Sequence, residues 1–195
     1  MVWKNGHAGM KTTPPHDISG RPIEDYLPHG EGSLRLRDLM ERSRRIFASL
    51  EANRGRHCPV SSIWLWGQGR PLTLPRFQEK YGLSGSVISA VDLVKGLGIC
   101  AGLNVLQVPG ATGWLDTNYE GKASAALDAL ADGDFVYVHV EAPDEASHKG
   151  SFDEKVRAIE DFDSRIVAPV FAGLEERFSD FRLLILPDHP TPLSL

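Results

Sequence analysis

Short apolar runs alternate with amphipathic stretches over the second two thirds of the chain. The apolar runs are Val87-Ile88, 105–108 (VLQV), 135–140 (FVYVHV) and 183–186 (LLIL). The stretches with helical spacing of apolar residues are 91–97, 123–131 and 151–178. Pro169 is a candidate break in the third stretch, which is either one long helix or two. Uninterrupted apolar strands separated by helices are typical of a parallel sheet covered on both faces. The pattern predicts an α/β core over residues 79–195, with parallel strands near positions 87, 106, 137 and 185.

The N-terminal part of the chain has a different pattern. Residues 7–32 are rich in glycine and proline, which predicts a long irregular loop. Apolar residues at three-and-four spacing over 36–50 predict a helix that Ser33 caps and Gly55 ends. The short runs that predict strands here are Val2-Trp3 and 63–66 (IWLW). We therefore expect a smaller α+β domain over residues 1–78.

Composition narrows the class of protein. The chain is 42% hydrophobic and 24% charged, with a net charge of −5, as in an ordinary globular protein. Nothing in this balance indicates a nucleic-acid partner, and the apolar runs are far shorter than a membrane span. The N-terminus lacks the apolar core of a signal peptide. Two cysteines, Cys58 and Cys100, form no disulfide framework, so we expect a reducing compartment and a cytoplasmic protein.

Two of the apolar runs are followed by an aspartate and a histidine. Asp144 and His148 follow the third run, and Asp188 and His189 follow the fourth. Because ligands bind outside the carboxyl ends of strands in such sheets, the two pairs are expected to converge at one edge. Mixed carboxylate and imidazole ligands suit zinc or manganese. A loop aspartate or histidine is more often solvated or a helix cap, so the residues alone leave both interpretations open.

The stretches that hold these pairs also carry a family resemblance. The runs PDEASHKGSFDEKVRAIEDFD and LLILPDHPTPLSL resemble the cofactor-independent phosphoglycerate mutases of the archaeal type, and their bacterial relatives proposed as homoserine kinases. Both groups belong to the alkaline phosphatase superfamily. The further stretches that resemble this family are VWKNG, PPHDISG, YGLSGSVISAVDLVKGLG, VPGATGWLDT and KA at 122–123. The resemblance covers nearly the whole chain, and its DEASHKG and DH stretches are the most specific.

The resemblance implies a two-metal phosphotransferase with an alkaline-phosphatase-like core and part of an inserted substrate-binding domain. It places Asp144 and His148 on one divalent ion, and Asp188 and His189 on the other, with manganese, zinc or magnesium as the metal. A serine would attack the phosphate of a small phosphorylated acid such as 3-phosphoglycerate and return it to a different hydroxyl. No 2,3-bisphosphoglycerate would be needed.

The chain departs from the family pattern in three elements. The family's metal-binding Asp-Gly strand, its nucleophilic serine and a later metal histidine have no counterpart here, so we expect a fragment with its nucleophile outside the chain and no activity of its own. Ser147 lies in the DEASH stretch, where the flanking residues bind metal. Neither it nor Ser194 is expected to act as a nucleophile, and no G-x-S-x-G elbow is present.

Candidate substrate-binding residues come from the N-terminal part. Arg70 follows a glycine-rich turn and has the planar guanidinium that binds carboxylate or phosphate oxygens in pairs. His16 and Asp17 lie in PPHDISG, in a loop that is able to close over a substrate. Each is also explained as an ordinary turn or surface residue. Four functions stay open: a phosphoglycerate mutase, a homoserine kinase-like phosphotransferase, a metal-dependent phosphatase of the same superfamily, and a non-catalytic domain.

Overall fold

The structure is a computed structural model that describes residues 2–193, except for the side chain of His16. It divides into two compact units, Met1–Pro71 and Leu72–Leu195. Within the described range, no helix is both long enough and apolar enough to cross a bilayer.

One amphipathic helix, α1 (Ser33–Ser49), organises the first unit. Ser33 was predicted to cap this helix, but it is the first helical residue. The preceding Gly32 takes the cap position, with a φ of 84°. The helix ends at Ser49, before the predicted Gly55, since side chains take over its last carbonyls. The Ser49 hydroxyl donates to Ile46 O at 2.9 Å, and the Asn53 amide donates to Phe47 O at 2.9 Å.

The two strands predicted in this unit are wrong. Neither Val2-Trp3 nor 63–66 joins a β-ladder in the described structure. A backbone N–H that a β-ladder would use is bonded to a side chain instead: Ile63 N donates to the Ser43 hydroxyl at 2.9 Å. The Trp64 ring nitrogen donates to a loop carbonyl, Thr13 O, at 2.8 Å. The run of bulky side chains therefore packs an irregular segment rather than a sheet.

The second unit has the predicted alternation of strands and helices. Its elements are α2 (Phe77–Tyr81), β1 (Gly85–Ile88), α3 (Asp92–Cys100), β2 (Asn104–Leu106), α4 (Tyr119–Asp132), β3 (Phe135–Val138), α5 (Ala142–His148), α6 (Phe152–Phe162) and α7 (Ala168–Arg177). The three strands form one parallel sheet in the order β2-β1-β3. The α/β fold and the parallel strands near 87, 106 and 137 are thus confirmed.

The sheet is covered on both faces. Successive residues of β1, Ser86, Val87 and Ile88, are all buried although their side chains point to opposite faces. The crossover through α3 runs from β1 to one neighbour, and the crossover through α4 returns to the other, so right-handed connections place these helices on opposite faces. The helices after the sheet complete the core around α4, whose buried residues include Tyr119 and Leu127.

The fourth predicted strand, 183–186, is wrong. Across the described residues, no ladder hydrogen bond joins this segment to β3, and its backbone is irregular. Leu184 is 81% exposed and Leu186 is 62% exposed, so the apolar run does not contribute to the core. An apolar run predicts a strand only where a neighbouring strand edge receives its backbone groups, and here none does.

The candidate break at Pro169 is also absent. The helical backbone runs from α6 into α7 through a π-helical turn at Asp163–Val167. Proline has no N–H and its ring collides with the carbonyl four residues earlier in a regular α-helix. Pro169 lies in the first turn of α7, directly after the wider π turn, where it is tolerated without ending the helix.

Candidate metal centre

The candidate site lies at the carboxyl ends of β1 and β3. The chain leaves β1 towards β2 and reaches β3 on the other side of β1, so the strand order reverses between β1 and β3. Open α/β sheets bind ligands in the crevice at such a reversal. Ser89 follows β1 directly, and His139 and Glu141 follow β3.

The first predicted pair lies on α5. Asp144 and His148 are one helical turn apart and therefore share a face, with Oδ2 and Nε2 separated by 3.4 Å. The Asp144 side chain is 25% exposed and that of His148 is 51% exposed. Ser147, between them, is buried and donates its hydroxyl proton to Pro143 O at 2.7 Å. The Ser147 hydroxyl is therefore used in a hydrogen bond within α5.

The second predicted pair lies in the irregular segment after 183–186. Asp188 Oδ2 and His189 Nε2 are 3.8 Å apart. The other carboxylate oxygen of Asp188 accepts from the His189 backbone N–H at 3.0 Å, which fixes the turn. Asp188 also faces β3, where its Oδ2 lies 3.9 Å from His139 Nε2. The pair therefore reaches the sheet edge without a fourth strand to carry it.

Thr191 brings the two pairs together. Its hydroxyl donates to Asp144 Oδ1 and lies 3.2 Å from His189 Nδ1. The structure thus places all four predicted metal ligands in one connected cluster with Thr191 and His139. The sequence contained no signal for Thr191, because a threonine in a proline-rich loop is usually an ordinary turn residue.

His139 is a second component that the sequence analysis missed. Its side chain is only 13% exposed and lies between Ser89 and Asp188. Ser89 Oγ accepts from Val91 N at 3.0 Å, so its own proton is available for His139 Nδ1 at 3.3 Å. With Ser89 as the donor, the proton of His139 is on Nε2, the nitrogen nearer to Asp188. Burial lowers the pKa of His139, and the Asp188 carboxylate acts in the opposite direction.

Glu141 brings a buried carboxylate to the same edge. Its Oε2 is buried and accepts no hydrogen bond from the described residues, and His139 Nδ1 lies 3.5 Å away. Burial raises the pKa of Glu141, and the negative charges of Asp144 and Glu145 add to the effect. Carboxylate oxygens of Glu141, Asp144 and Glu145 lie within 4.8 Å of one another, a grouping able to hold a cation.

Lys122, on α4, supplies the buried cation of this region. It is 0% exposed, and its Nζ donates to His139 O at 3.2 Å. Burial lowers the pKa of Lys122, and the Glu141 carboxylate opposes that shift. A fully buried lysine is rare unless it is paired, so its position beside the acidic cluster is informative. In the sequence it stood only as part of a family-like dipeptide, with no pattern to mark it as buried.

The predicted substrate-binding residues lie in the first unit. Arg70 is exposed and makes no hydrogen bond or ion pair with the described residues. Asp17 is exposed on a single 3₁₀ turn, Pro15–Ile18, rather than in an open loop. The same turn includes His16, whose side chain lies outside the described structure. The contacts of these residues identify no ligand, so their role stays a prediction.

The donor set fits a divalent cation. In both Asp/His pairs the imidazole and carboxylate atoms, 3.4 and 3.8 Å apart, are too distant for a good hydrogen bond. Two metal–ligand bonds of about 2.1 Å at a tetrahedral angle place neighbouring ligand atoms about 3.4 Å apart. The unpartnered Oε2 of Glu141 offers a further donor beside the first pair. A parallel α/β sheet with such a cluster at its strand-order reversal has the features of a metal-binding α/β protein.

Comparison with known proteins agrees with that class. A family model described as the metalloenzyme superfamily matches residues 6–195, and the chain belongs to this superfamily. The description of the family is that of metalloenzymes, and the names of relatives of this chain state independence of 2,3-bisphosphoglycerate. The family resemblance found in the sequence is therefore confirmed.

Two relatives are close in sequence. A probable 2,3-bisphosphoglycerate-independent phosphoglycerate mutase of Geobacter sulfurreducens is 55% identical over 100% of this chain and 50% of its own length. The 2,3-bisphosphoglycerate-independent phosphoglycerate mutase of Methanothrix thermoacetophila is 56% identical over 94% of this chain and 48% of its own. A solved structure of a Pyrococcus horikoshii protein aligns with a TM-score of 0.60 at 26% identity, covering 72% of this chain and 38% of that one. The chain thus spans about half the length of the curated relatives it matches.

Proposed function

We propose that this chain carries the metal-binding part of a phosphoglycerate mutase that interconverts 3-phosphoglycerate and 2-phosphoglycerate without 2,3-bisphosphoglycerate. The observation that carries the proposal is the convergence of both Asp/His pairs at the strand-order reversal of the sheet. The names of relatives at 55% and 56% identity supply the substrate class.

Two divalent ions are assigned to the two pairs. Asp144 and His148 would hold one, with Glu141 as an additional donor, and Asp188 and His189 would hold the other. Manganese suits this mixture of carboxylate and imidazole, and zinc or magnesium are alternatives. When bound, such ions neutralise phosphate oxygens and promote ionisation of an attacking hydroxyl.

The other residues of the cluster hold these donors in place. His139, with one nitrogen satisfied by Ser89, directs the other towards Asp188 and limits the rotation of that exposed carboxylate. Lys122 fixes the backbone of His139 and balances part of the negative charge of Glu141. Preorganised donors of this kind reduce the cost of assembling a charged site.

Substrate recognition is assigned to the first unit. Arg70 would bind the carboxylate or phosphate of the substrate, and His16 and Asp17 would contribute from the 3₁₀ turn. The loop before Arg70 is anchored through Gln68, whose Nε2 donates to Met10 O at 2.5 Å and whose Oε1 accepts from Thr12 at 2.7 Å. An anchored loop presents an exposed guanidinium with less loss of entropy on binding.

Calorimetry on the 195-residue chain tests the proposal. We expect Mn²⁺ to bind, and 3-phosphoglycerate to bind detectably only after Mn²⁺ has been added. Asp188→Asn should weaken both, whereas Asp180→Asn, a surface aspartate of the same unit, should leave both unchanged.

Binding of 3-phosphoglycerate that does not depend on Mn²⁺ would contradict the metal centre. Metal-dependent binding of homoserine in preference to 3-phosphoglycerate would replace the mutase with the homoserine kinase-like phosphotransferase. Because both measurements are of binding, neither requires that the chain turn substrate over.

A further inference from the structure

The hydroxyl of Thr191 occupies the position between the two halves of the candidate centre. Among the described side chains, it is the one hydroxyl with a hydrogen-bond contact to a member of each Asp/His pair: Asp144 in the first and His189 in the second. The residue is partly buried although its neighbours Pro190 and Pro192 are both exposed. A hydroxyl in this position has a defined proton arrangement, which can be worked out from its partners.

At the Thr191 hydroxyl and His189 Nδ1, one arrangement of protons satisfies each hydrogen bond, and Asp188 Oδ2, 3.8 Å from His189 Nε2, is too distant to form another. The Asp144 carboxylate accepts and cannot donate, so the Thr191 hydroxyl proton points to Asp144. The hydroxyl oxygen then accepts from His189 Nδ1 at 3.2 Å. Pro190 O, 3.4 Å from the same nitrogen, is also purely an acceptor. Both neighbours therefore favour a proton on Nδ1, which leaves the Nε2 lone pair of His189 free.

Lys155 fixes this threonine to the helical part of the unit. Its Nζ, on α6, donates to Thr191 O at 2.7 Å. The segment that bears Asp188 and His189 has no ladder hydrogen bonds to the sheet within the described structure, so a side-chain tether has more influence here than it would on a strand. The α6 helix is held in turn by Ala158, which is fully buried in the core.

We propose that Thr191, tethered by Lys155, is a positioning residue that selects the Nδ1–H tautomer of His189 and so presents its Nε2 as a metal ligand. The metal role rests on the proposed function, whereas the tautomer does not. Metal-binding histidines generally donate their second nitrogen to a partner that fixes the ring, and loss of that partner weakens metal affinity by about 10- to 100-fold.

The tautomer is tested without metal by ¹⁵N-NMR of the imidazoles, at a pH where His189 is neutral. We expect a protonated Nδ1 and a free Nε2 in the native chain and in Thr191→Ser, which keeps the hydroxyl. Thr191→Val keeps the shape and removes the hydroxyl, and should shift His189 towards the Nε2–H form. An unchanged His189 spectrum in Thr191→Val would overturn the proposal.

Metal affinity supplies the second readout. Mn²⁺ should bind about tenfold more weakly to Thr191→Val than to the native chain, with Thr191→Ser close to native. Lys155→Met should also weaken binding, and Lys149→Met, which removes an exposed ion pair with Glu154, is the matched control. Equal affinity in Thr191→Val and the native chain would overturn the positioning role. A native chain with the Nδ1–H tautomer but no Mn²⁺ binding would contradict the proposed metal centre and leave the tautomer assignment intact.

Discussion

Single residues in this centre carry charges that the fold has partly taken out of water. Lys122 is fully buried, and burial lowers its pKa from the ordinary value of 10.5. Glu141 is shifted the other way for the same reason, since burial disfavours its charged form too. Each charge is tolerated because the other lies nearby. Sites that hold such charges in the absence of ligand usually have a function that needs them.

The shifted pKa of Lys122 predicts a pH dependence of stability. The unfolded chain binds the Lys122 proton more tightly than the folded chain does. The free-energy cost of burying the Lys122 charge is therefore fully present below the pKa of Lys122 in the folded chain. The cost is relieved as the pH rises from the folded pKa towards 10.5. Lys122→Met removes this titration. The native chain should therefore gain stability relative to Lys122→Met between neutral pH and the ordinary lysine pKa, as measured by urea unfolding.

The exposed Lys80 is the control for this measurement. Lys80→Met removes an exposed lysine of the same unit and so controls for the loss of a lysine side chain that is not buried. The comparison uses the change with pH rather than one value, because Lys122→Met also leaves His139 O without its donor. A constant difference between Lys122→Met and the native chain would show that Lys122 is not buried as a charge.

The packing of helix α3 on the sheet depends on a glycine. Its Gly98 is buried against β1, at a point where a Cβ would overlap the side chain of the buried Val87. Gly96, in the same helix, has open space around its Cα. The helix can approach the central strand this closely only because position 98 has no side chain.

Two alanine substitutions in α3 should therefore have opposite effects. Gly98→Ala is expected to destabilise the chain by about 1–3 kcal/mol, since the new Cβ would overlap Val87, a buried side chain that would have to shift. Gly96→Ala is expected to stabilise it by about 0.4–1 kcal/mol, because alanine loses less entropy in a helix. Thermal and urea unfolding of both variants measure the difference. Equal effects at the two positions would contradict the close packing of α3 on β1.

The stability of variants in the irregular segment 183–186 tests whether that segment packs as a strand. Leu184→Lys should change stability by less than about 0.5 kcal/mol, because Leu184 is 81% exposed. Ile88→Ala, at the fully buried last residue of β1, should cost about 2–5 kcal/mol. A large loss in Leu184→Lys would mean that the segment packs as the strand that its sequence suggested.

Apolar runs in the sequence predicted strands correctly only where the folded chain offers a neighbouring strand edge. Apolar period and helical spacing predicted β1, β2 and β3 because these strands find neighbours within the second unit. The same signal failed at 63–66 and at 183–186, where the run is apolar but has no partner edge. Pairing is a tertiary property, and a local pattern does not contain it.

The site shows the same limit. Asp144 and His148 could be predicted from their spacing after an apolar run, because helical geometry alone brings them together. His139 was hidden in the apolar run itself, where it looks like a strand residue, and Glu141 directly follows that run without a pattern that marks it as buried. Thr191 reaches Asp144 across 47 positions of sequence, and only the folded chain brings them into contact.

At the scale of the whole molecule, the candidate metal donors lie in the second unit, and neither serine beside them has the contacts of a reactive hydroxyl. Of the serines in contact with the centre within residues 2–193, Ser147 donates to Pro143 O. Ser89 is 4% exposed and already accepts from Val91 N. A nucleophile needs an accessible oxygen and an adjacent base.

The chain is therefore expected to show no turnover of 3-phosphoglycerate, even with saturating Mn²⁺. A coupled assay for 2-phosphoglycerate measures this, with the Mn²⁺ complex first verified by calorimetry. Ser89→Ala decides the meaning of a positive result. Turnover that disappears in Ser89→Ala would assign the attack to Ser89, and turnover that persists would assign it to another residue of the chain.

The strand order has a further consequence, for the exchange of amide hydrogens with solvent. The β1 strand is bonded on both sides, so its amides should exchange only through global unfolding. The amides of 183–186 lack such bonds in the described structure and should exchange through small local openings. The Asp144/His148 pair thus lies on the hydrogen-bonded helix α5, whereas Asp188 and His189 follow a segment whose amides exchange quickly. Capture of a cation would then appear as new protection around Asp188 and His189, with the protection of β1 hardly changed.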